Sequence, residues 1–400
     1  MKLSDKILSM QFSPIRKFSE SAAAAEENGK KIYQLNIGQP DIETPQVFWD
    51  TVNNCNLKIL SYCESAGTKK LRSAICKYFA RLGVSCTCND IIVTNGASEA
   101  LLFAYTALLD HGDEVLIPEP FYANYKTMII QSDGVVVPIP TTAESGYHYA
   151  NLELLESKVT SKTKVLCISN PGNPTGTLLT RDDMRLIADF VKKHDLWLIA
   201  DEAYREFIYE EDGRLSTFAE FNDISDRTII IDSISKRFSA CGARIGFLMT
   251  KNAQLYENLM KLAQCRLSCP TLDQEGAAAL YNLDPHYFDS TRATYKSRRD
   301  CLYNELLKID GIVCQKPGGA FYMMAKLPIE DSEDFLTYLI NEFDHNGESV
   351  MFAPGNGFYE DADKGKNEIR IAYILNETDL KRSIQLLRLG LESYKAKNTI

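Results

Sequence analysis

Seven short runs rich in β-branched residues alternate with longer segments of helical periodicity through the middle of this 400-residue sequence. Such alternation is typical of α/β units, in which helices cover a mostly parallel, buried sheet. Helices are predicted at Ser98–Leu109, Arg181–His194 and Asn252–Leu267, where apolar residues recur every three or four positions. The predicted strands are Ile91–Thr94, Glu114–Ile117, Val135–Ile139, Lys164–Ser169, Leu196–Ala200, Thr228–Asp232 and Ile245–Met249.

Both ends of the chain have a different pattern. Residues 13–30 have the periodicity of an amphipathic helix, and after residue 286 charged helical segments alternate with a Gly-rich segment and one strand-like run. The N-terminal segment is too short to fold alone, so we expect it to pack with the C-terminal part. We therefore predict a large domain at 46–285 and a smaller, discontinuous α+β domain made of 1–45 and 286–400.

The charge of the chain argues against several classes of partner. Forty-four Lys and Arg residues against 54 Asp and Glu residues give a formal net charge of −10. This field repels phosphodiester backbones and anionic membrane surfaces, so we expect no nucleic-acid partner and no membrane. No segment reaches the roughly 18 apolar residues of a membrane span, and the first residues lack the apolar core of a signal peptide. We therefore expect a cytoplasmic protein.

The eleven cysteines are an odd number scattered along the chain, which favours reduced thiols over a disulfide framework. Cys86 and Cys88 form only a C-x-C, and Cys265 and Cys269 are four apart, with no second pair or histidine to complete a zinc site. We expect no metal and interpret the cysteines as small apolar side chains.

Ligands of an open α/β sheet bind beyond the carboxyl ends of its strands, and four predicted strands are followed by unusual residues. The first is followed by Asn95-Gly96-Ala97-Ser98, a turn whose free N–H groups suit either a phosphate or an ordinary helix cap. The fourth is followed by Asn170–Gly176, a stiff loop with two prolines and two asparagines. The loop is either a surface turn or a rigid segment that holds an asparagine amide in a fixed position.

The other two strands end in more distinctive groups. The fifth is followed by Asp201 and, three residues on, by Tyr204. A carboxylate there is either a helix cap or the partner of a protonated ring nitrogen. The sixth is followed by Ser233-Ile234-Ser235-Lys236 and then Arg237. A lysine beside two hydroxyls and an arginine, directly after a buried strand, is a candidate Schiff-base nucleophile near phosphate ligands, the alternative being a solvated loop lysine.

Taken together, these motifs resemble the pyridoxal-phosphate-dependent class I and II aminotransferases of fold type I, in particular the bacterial aspartate aminotransferase-like branch. The resemblance spans nearly the whole chain. It implies an α/β large domain with a seven-stranded, mostly parallel sheet, a smaller α+β domain, and pyridoxal 5′-phosphate as cofactor. It also implies transfer of the amino group of an L-amino acid, aspartate being one candidate, to a 2-oxo acid such as 2-oxoglutarate by a ping-pong mechanism. The motifs that carry it are Ser13–Arg16, Ile37–Asp41, Asn170–Gly176, Asp201–Tyr204, Ser233–Lys236, Gly242–Gly246 and Ile369–Ala372.

The resemblance further implies which residues bind the cofactor. Lys236 would form the Schiff base and carry the proton, and Asp201 would pair with the pyridinium nitrogen. Asn173 and Tyr204 would hydrogen-bond the phenolate oxygen of the ring, on whose face Tyr122 would stack. The phosphate would be held by the amides of Ala97 and Ser98 together with Ser233, Ser235 and Arg244.

Substrate and partner are implied in the same way. Arg370 would hold the substrate α-carboxylate bidentately, with help from Asn173 and the backbone at Gly38. Tyr62 matches a family tyrosine that reaches the phosphate of the neighbouring subunit. A homodimer with shared active sites follows from that match.

Side-chain specificity stays open at this point. Some aspartate-using relatives carry a lysine in place of Ser98 to hold the distal carboxylate, and Arg266 is either its replacement or an ordinary helix arginine. Aspartate, alanine, aromatic and neutral aliphatic donors are therefore all considered.

The alternatives to an aminotransferase differ in what they require of the sequence. A carbon–sulfur β-lyase or a carboxycyclopropane-forming synthase would keep the same cofactor residues. A transcriptional regulator would need a DNA-binding region, which we do not expect because the resemblance already begins at residue 13. A dinucleotide oxidoreductase would need a G-x-G-x-x-G after a strand, and no predicted strand is followed by one.

Overall fold

The computed structural model describes residues 1–209 and 215–398. Its helices are α1 (Asp5–Ser9), α2 (Ser19–Glu27), α3 (Gln46–Asn53), α4 (Lys69–Arg81), α5 (Gly96–Leu108), α6 (Asn124–Gln131), α7 (Leu152–Glu156), α8 (Arg181–Lys193), α9 (Ile234–Arg237), α10 (Ala253–Arg266), α11 (Thr271–Leu280), α12 (Tyr287–Leu306), α13 (Ser332–Asn341) and α14 (Glu377–Asn398). Its strands are β1 (Lys31–Gln34), β2 (Ile91–Thr94), β3 (Glu114–Glu119), β4 (Val135–Pro140), β5 (Thr163–Ser169), β6 (Trp197–Asp201), β7 (Thr228–Ser233), β8 (Gly246–Thr250), β9 (Val313–Cys314), β10 (Tyr322–Lys326), β11 (Glu348–Met351), β12 (Ala353–Pro354) and β13 (Glu368–Ala372).

Within the described residues, seven strands form one sheet in the order β2-β8-β7-β6-β5-β3-β4. Strand β8 is antiparallel to both of its neighbours, and the other neighbouring pairs are parallel. All six residues of β7 are buried, since helices cover both faces of the sheet. A strand buried on both faces needs apolar residues without alternation, which explains the continuous run Ile229–Ile231. The prediction of a seven-stranded, mostly parallel sheet is confirmed.

Capping residues in the sequence mark where the helices that cover the sheet begin. Helix α8 starts after Thr180, whose hydroxyl accepts from the Asp183 N–H at 3.1 Å, while Asp183 accepts from the Thr180 N–H at 2.9 Å. This reciprocal capping box satisfies N–H groups that the helix itself leaves without partners. The helix then buries Met184, Ile187 and Val191 in the core beneath the sheet.

The N-terminal and C-terminal segments pack together, as the sequence predicts. Strand β1 pairs in parallel with β11, and β12, β13, β10 and β9 form a four-stranded sheet with antiparallel pairing. One apolar cluster joins Ile32 and Leu35 to Phe335 and Leu387. The same cluster includes Tyr204 from the central part of the chain, so the boundaries at 46–285 and at 1–45 with 286–400 stay a prediction.

The helix predicted over 13–30 is shorter in the structure. Residues 14–18 form turns, α2 covers only Ser19–Glu27, and β1 follows directly. Gly29 takes a φ of +89° after the helix, a conformation that ends helices and favours glycine. Pro14 packs against Gly357, where an added Cβ would lie 2.2 Å from the proline ring. This contact fixes the turn, so the amphipathic pattern alone placed the start of the helix wrongly.

Neither a membrane-spanning helix nor a metal-binding cluster is found among the described residues. None of their helices combines the length and the apolar composition that a bilayer crossing requires. Within the same residues, no group of three or more His, Cys, Asp or Glu side chains is arranged to hold a metal ion.

Candidate active site

The residues singled out after four strands meet at one edge of the sheet. Asn173 lies in the loop after β5, Asp201 ends β6, and Ser233 ends β7. Since β8 runs antiparallel, its first residue, Gly246, lies at the same edge and pairs with Thr94 on one side and Ser233 on the other. Parallel strands thus bring residues far apart in sequence to one crevice.

Lys236 lies in the single helical turn α9 that follows β7. Ser233 caps this turn, since its Oγ accepts from the Ser235 N–H at 3.3 Å. The half-buried Lys236 amine donates to the Gly38 carbonyl oxygen at 2.9 Å and lies 3.8 Å from the Cys241 thiol. The lysine therefore reaches from the sheet to the N-terminal loop that carries Gly38.

Asp201 is a buried carboxyl with two donors. The Tyr125 hydroxyl donates to its Oδ2 at 2.7 Å, and the Ala203 N–H donates to its Oδ1 at 3.1 Å. Burial raises the pKa of Asp201 to about 6, although both hydrogen bonds oppose that change. A cation placed against this carboxyl would favour its ionised form.

Three tyrosines lie close to these groups. The hydroxyls of Tyr204 and Tyr322 are 2.9 Å apart, and the Tyr322 hydroxyl is 3.5 Å from the Gly38 carbonyl oxygen. Burial raises the pKa of Tyr204 well above its ordinary value and that of Tyr122 to about 12, so both phenols are neutral donors at neutral pH. The Tyr122 ring is packed edge-on against Tyr125, with ring centroids 5.3 Å apart.

The turn before α5 has the geometry of an anion site. Gly96 takes a φ of +74°, and a Cβ there would lie 2.4 Å from Nη2 of Arg244. A Cβ on Gly246 would lie 2.6 Å from the Ala97 nitrogen, so both glycines are required for the close approach of these segments. The exposed Arg244 side chain donates to the Asn95 carbonyl at 3.3 Å, which holds its charge beside the helix N-terminus. Half-buried Ser98 belongs to the same first turn of α5.

Arg370 lies on β13 and is 1% exposed. Its Nη1 donates to Asn173 Oδ1 at 3.2 Å, its Nη2 donates to the Asn36 carbonyl, and its guanidinium carbon lies 4.5 Å from the centre of the Tyr322 ring. Burial lowers the pKa of Arg370, and its Nε has no hydrogen-bond partner among the described residues. A buried cation with a free donor is built to receive an anion.

Two residues from the sequence analysis lie apart from this crevice. Tyr62 is 78% exposed and, among the described residues, makes no hydrogen bond or ring contact with a predicted site residue. The Arg266 guanidinium donates to the carbonyls of Ser65 (3.2 Å) and Val93 (3.1 Å) and lies 3.7 Å from Glu99. It therefore fastens the Tyr62 loop to the end of β2, which neither interpretation of Arg266 from the sequence anticipated.

A layer of buried ion pairs lies beneath the crevice. Arg237 does not join the phosphate turn beside Lys236, as its position in the sequence suggested, but pairs with buried Asp232. Arg205 also contacts Asp232, at 3.0 Å, and pairs with Glu202. Glu202 and Arg237, which directly follow Asp201 and Lys236, thus lie in this layer of ion pairs and fix the backbone that carries the two site residues.

Four residues of this site were not predicted from the sequence, namely Tyr125, Tyr322, Asn36 and Phe358. Tyr125 follows Tyr122 by three residues, a helical spacing that gives a weak signal for a shared face. Tyr322 follows Gly318-Gly319, but nothing local indicates that its hydroxyl meets Tyr204. Asn36 contributes a carbonyl, and Phe358 lies 5.0 Å below the Arg370 guanidinium. Such contacts depend on the meeting of distant segments.

Comparisons with known proteins agree with this geometry. Residues 30–387 match the family model described as aminotransferase class I and II. The chain is 30% identical over 403 residues to the aspartate aminotransferase of Pyrococcus abyssi, and 30% identical over 403 residues to aromatic-amino-acid aminotransferase 2 of Thermococcus litoralis, covering 99% of this chain and 100% of each relative. The solved structure of an alanine aminotransferase from Pyrococcus furiosus superposes with a TM-score of 0.87 at 28% identity, covering 98% of this chain and 100% of that one.

The family match and these relatives show that the protein is an enzyme of amino-group transfer. The chain belongs to the class I and II aminotransferases, a family that uses pyridoxal phosphate. The residues present fit that group: a lysine amine, a buried carboxyl at a strand end, and an anion turn with Arg244 and close-packed Gly96. The comparisons do not favour the lyase alternative.

Proposed function

We propose that Lys236 carries the cofactor and moves the substrate proton. When bound, pyridoxal phosphate supplies an aldehyde that condenses with amines and a ring that accepts electrons. Lys236 suits this role because its amine stands at the centre of the crevice and has only one close oxygen partner among the described residues, the Gly38 carbonyl at 2.9 Å. The Lys236 amine would act as the base that removes the proton from the substrate Cα and as the acid that returns a proton to the aldehyde carbon of the cofactor.

Asp201 is proposed to hold the ring nitrogen in its protonated form. In the protein alone, burial keeps the pKa of this carboxyl at about 6, and a cation directly opposite would favour ionisation. Tyr125 positions the carboxyl by its 2.7 Å hydrogen bond. Tyr204 would donate to the phenolic oxygen of the ring, and Tyr122 would pack on the ring face.

The phosphate is proposed to bind where α5 begins. The amides of Ala97 and Ser98 point out of the first turn of that helix, whose N-terminus favours an anion. Arg244 supplies a positive charge beside the same turn, since its Nη2 would lie 2.4 Å from a Cβ on Gly96. The hydroxyls of Ser233 and Ser235 complete the proposed set.

Arg370 is proposed to bind the substrate α-carboxylate. Asn173 Oδ1 orients the guanidinium at 3.2 Å, which leaves the Asn173 amide N–H groups for the ring oxygen and the carboxylate. The Gly38 backbone lies on the same side, through its carbonyl contact with Lys236. Binding the carboxylate in this way fixes the Cα–H bond beside the amine that removes the proton.

We propose a homodimer in which Tyr62 reaches the phosphate of the neighbouring subunit. In the single chain the Tyr62 side chain is 78% exposed, and nearby Ile59 and Leu60 are 77% and 63% exposed, so this loop presents an apolar surface. Mixing inactive Tyr62→Ala and Lys236→Ala subunits should restore part of the activity, because hybrid dimers would contain one intact site. No recovery after demonstrated subunit exchange would contradict a shared site.

The proposed reaction moves the amino group of an L-amino acid to a 2-oxo acid such as 2-oxoglutarate, with aspartate as the first donor to test. Several relatives of this chain are named aspartate aminotransferases, whereas others are named for aromatic amino acids or alanine. Ser98 stands where some aspartate-using relatives carry lysine, so the aromatic and alanine donors belong in the same panel. We also propose a cytoplasmic location, which fits eleven free cysteines.

A half-reaction titration tests this function. The purified protein is loaded with pyridoxal phosphate, and a panel of amino acids is added without any 2-oxo acid. Conversion of the cofactor to pyridoxamine phosphate, with one equivalent of the matching 2-oxo acid, identifies a transaminase and its donor. Continuous release of pyruvate with ammonia or a thiol, while the cofactor keeps its aldehyde form, would instead identify a β-lyase.

A further inference from the structure

The loop that carries Tyr62 is held on both sides of this residue by side chains from one short segment. Arg266, the last residue of α10, donates to the Ser65 carbonyl at 3.2 Å. Thr271, the first residue of α11, donates through its hydroxyl to the Ser61 carbonyl at 3.1 Å. Both donors reach backbone carbonyls, so they fix the path of the chain on either side of Tyr62. The position of this exposed side chain thus depends on residues more than 200 positions away along the chain.

Arg266 bridges the loop and the central sheet. It donates to a second carbonyl, that of Val93 in β2, at 3.1 Å, and its side chain is only 13% exposed. Its Nε lies 3.7 Å from Glu99 Oε2 and has no hydrogen-bond partner among the described residues. A guanidinium presents several N–H groups in one fixed plane, so a single arginine can hold the Ser65 and Val93 carbonyls together.

The same arginine lies next to the proposed phosphate turn of its own subunit. Glu99, in the first turn of α5, accepts from the Asn95 N–H at 2.8 Å and from Asn95 Nδ2 at 3.2 Å. The Asn95 carbonyl in turn accepts from Arg244 at 3.3 Å. The two bonds between Glu99 and Asn95 do not involve Arg266, whereas the bond to the Ser65 carbonyl does. Loss of Arg266 should therefore affect the Tyr62 loop more than the phosphate turn.

We infer that Arg266 and Thr271 are positioning residues for the cofactor phosphate of the neighbouring subunit and act through Tyr62. This inference rests on the proposed homodimer with shared sites, and it names the residues that determine where Tyr62 lies. A hydrogen bond from a hydroxyl to a phosphate oxygen is short, about 2.5–2.7 Å, so a loop displacement of about 1 Å would remove most of the contact.

A double-mutant cycle on cofactor affinity tests the inference. The full-length protein is titrated with pyridoxal phosphate, and the absorbance of the lysine adduct gives the dissociation constant. Tyr62→Phe removes one charge-assisted hydrogen bond and should weaken binding about 10-fold. Arg266→Gln should weaken binding by a similar factor, and Thr271→Val, which removes one neutral hydrogen bond, about 3-fold. Because both act through Tyr62, neither change should weaken binding further when it is combined with Tyr62→Phe.

Hybrid dimers show which subunit Arg266 serves. When Lys236→Ala and Tyr62→Ala chains are mixed, the one intact site combines Lys236 of the second chain with Tyr62 of the first. Adding Arg266→Gln to the Lys236→Ala chain should weaken pyridoxal phosphate binding at that site, whereas adding it to the Tyr62→Ala chain should not. Arg81→Gln is the control, since it also removes an arginine bond to a backbone carbonyl, that of Leu283 at 3.0 Å, and it should leave the affinity unchanged.

The possible failures are distinguishable. A loss of about 100-fold in the Tyr62→Phe/Arg266→Gln double variant, where the factors multiply, would overturn the role of Arg266 alone. So would a loss in the hybrid dimers that follows the Tyr62→Ala chain. Unchanged affinity in Tyr62→Phe would instead refute the shared site on which the inference rests. Light scattering checks that each variant is a dimer, and Thr271→Val supplies the same cycle if Arg266→Gln does not fold.

Discussion

Replacing Asp201 by asparagine should stabilise the protein while abolishing its activity. The pKa of the buried carboxyl is about 6, against an ordinary value of 3.8. Each unit of pKa difference corresponds to about 1.4 kcal/mol, so keeping this group ionised in the folded protein costs about 3 kcal/mol at pH 8. An asparagine is always neutral, and its amide retains partners in the Tyr125 hydroxyl and the Ala203 N–H.

The sign of the pH dependence follows from proton linkage. The folded state binds the Asp201 proton more tightly than the unfolded state does, so the resulting stability is fully present below about pH 4 and lost as the pH rises through 6. The free energy of unfolding of Asp201→Asn should therefore be about 3 kcal/mol higher than that of the wild type at pH 8. The difference should shrink progressively toward pH 4.

Urea unfolding of the cofactor-free protein measures this difference, with both proteins at the same concentration and at pH 8 and pH 5. Asp310→Asn, which neutralises an exposed carboxyl, is the control and should show no such gap. A variant less stable than the wild type at pH 8, or an equal gap at both pH values, would refute the argument from burial. The activity of Asp201→Asn should fall at least 100-fold, because a neutral amide cannot hold a protonated ring nitrogen.

Three further predictions concern the same crevice. Lys236→Ala should fold but lack the lysine adduct that borohydride reduction and peptide mass spectrometry detect with pyridoxal phosphate, and an adduct on another lysine would refute the assignment. Arg370→Lys should raise KM for the amino acid about 10- to 100-fold by losing one charge-assisted hydrogen bond, and an unchanged KM would exclude Arg370 from carboxylate binding. Gly96→Ala should weaken pyridoxal phosphate binding about 10-fold in a spectral titration, because a Cβ there would lie 2.4 Å from Nη2 of Arg244 and displace that proposed phosphate ligand; unchanged affinity would place the phosphate elsewhere.

The sheet could be predicted because each strand is recognisable from its own run of apolar, β-branched residues. The run at 228–232 is apolar and β-branched, and the structure places β7 at Thr228–Ser233, fully buried. The same holds for β2, which matches the predicted Ile91–Thr94. The 13–30 helix shows the limit of such signals, since a contact with Gly357, far along the chain, fixes Pro14 in a turn.

The residues of the crevice were predictable only in part. Lys236 and Asp201 stand directly after strands, where position alone marks them as candidates. Arg370 meets Asn173 although 197 residues separate them, so only the resemblance to a family assigned them to one site. No family motif assigned Tyr322 to the site. Its 2.9 Å contact with Tyr204 depends on where β10 lies relative to the seven-stranded sheet.

The phosphate turn depends on a strand direction that no local pattern encodes. The run at 245–249 is as apolar as its neighbours, yet β8 lies antiparallel between β2 and β7. This orientation brings the start of β8, and Arg244 just before it, to the edge where the parallel strands end. Gly246 then fits because a Cβ would lie 2.5 Å from the Gly96 backbone. Had β8 run parallel, Arg244 would lie at the opposite end of the sheet, so the anion site is a consequence of topology as much as of composition.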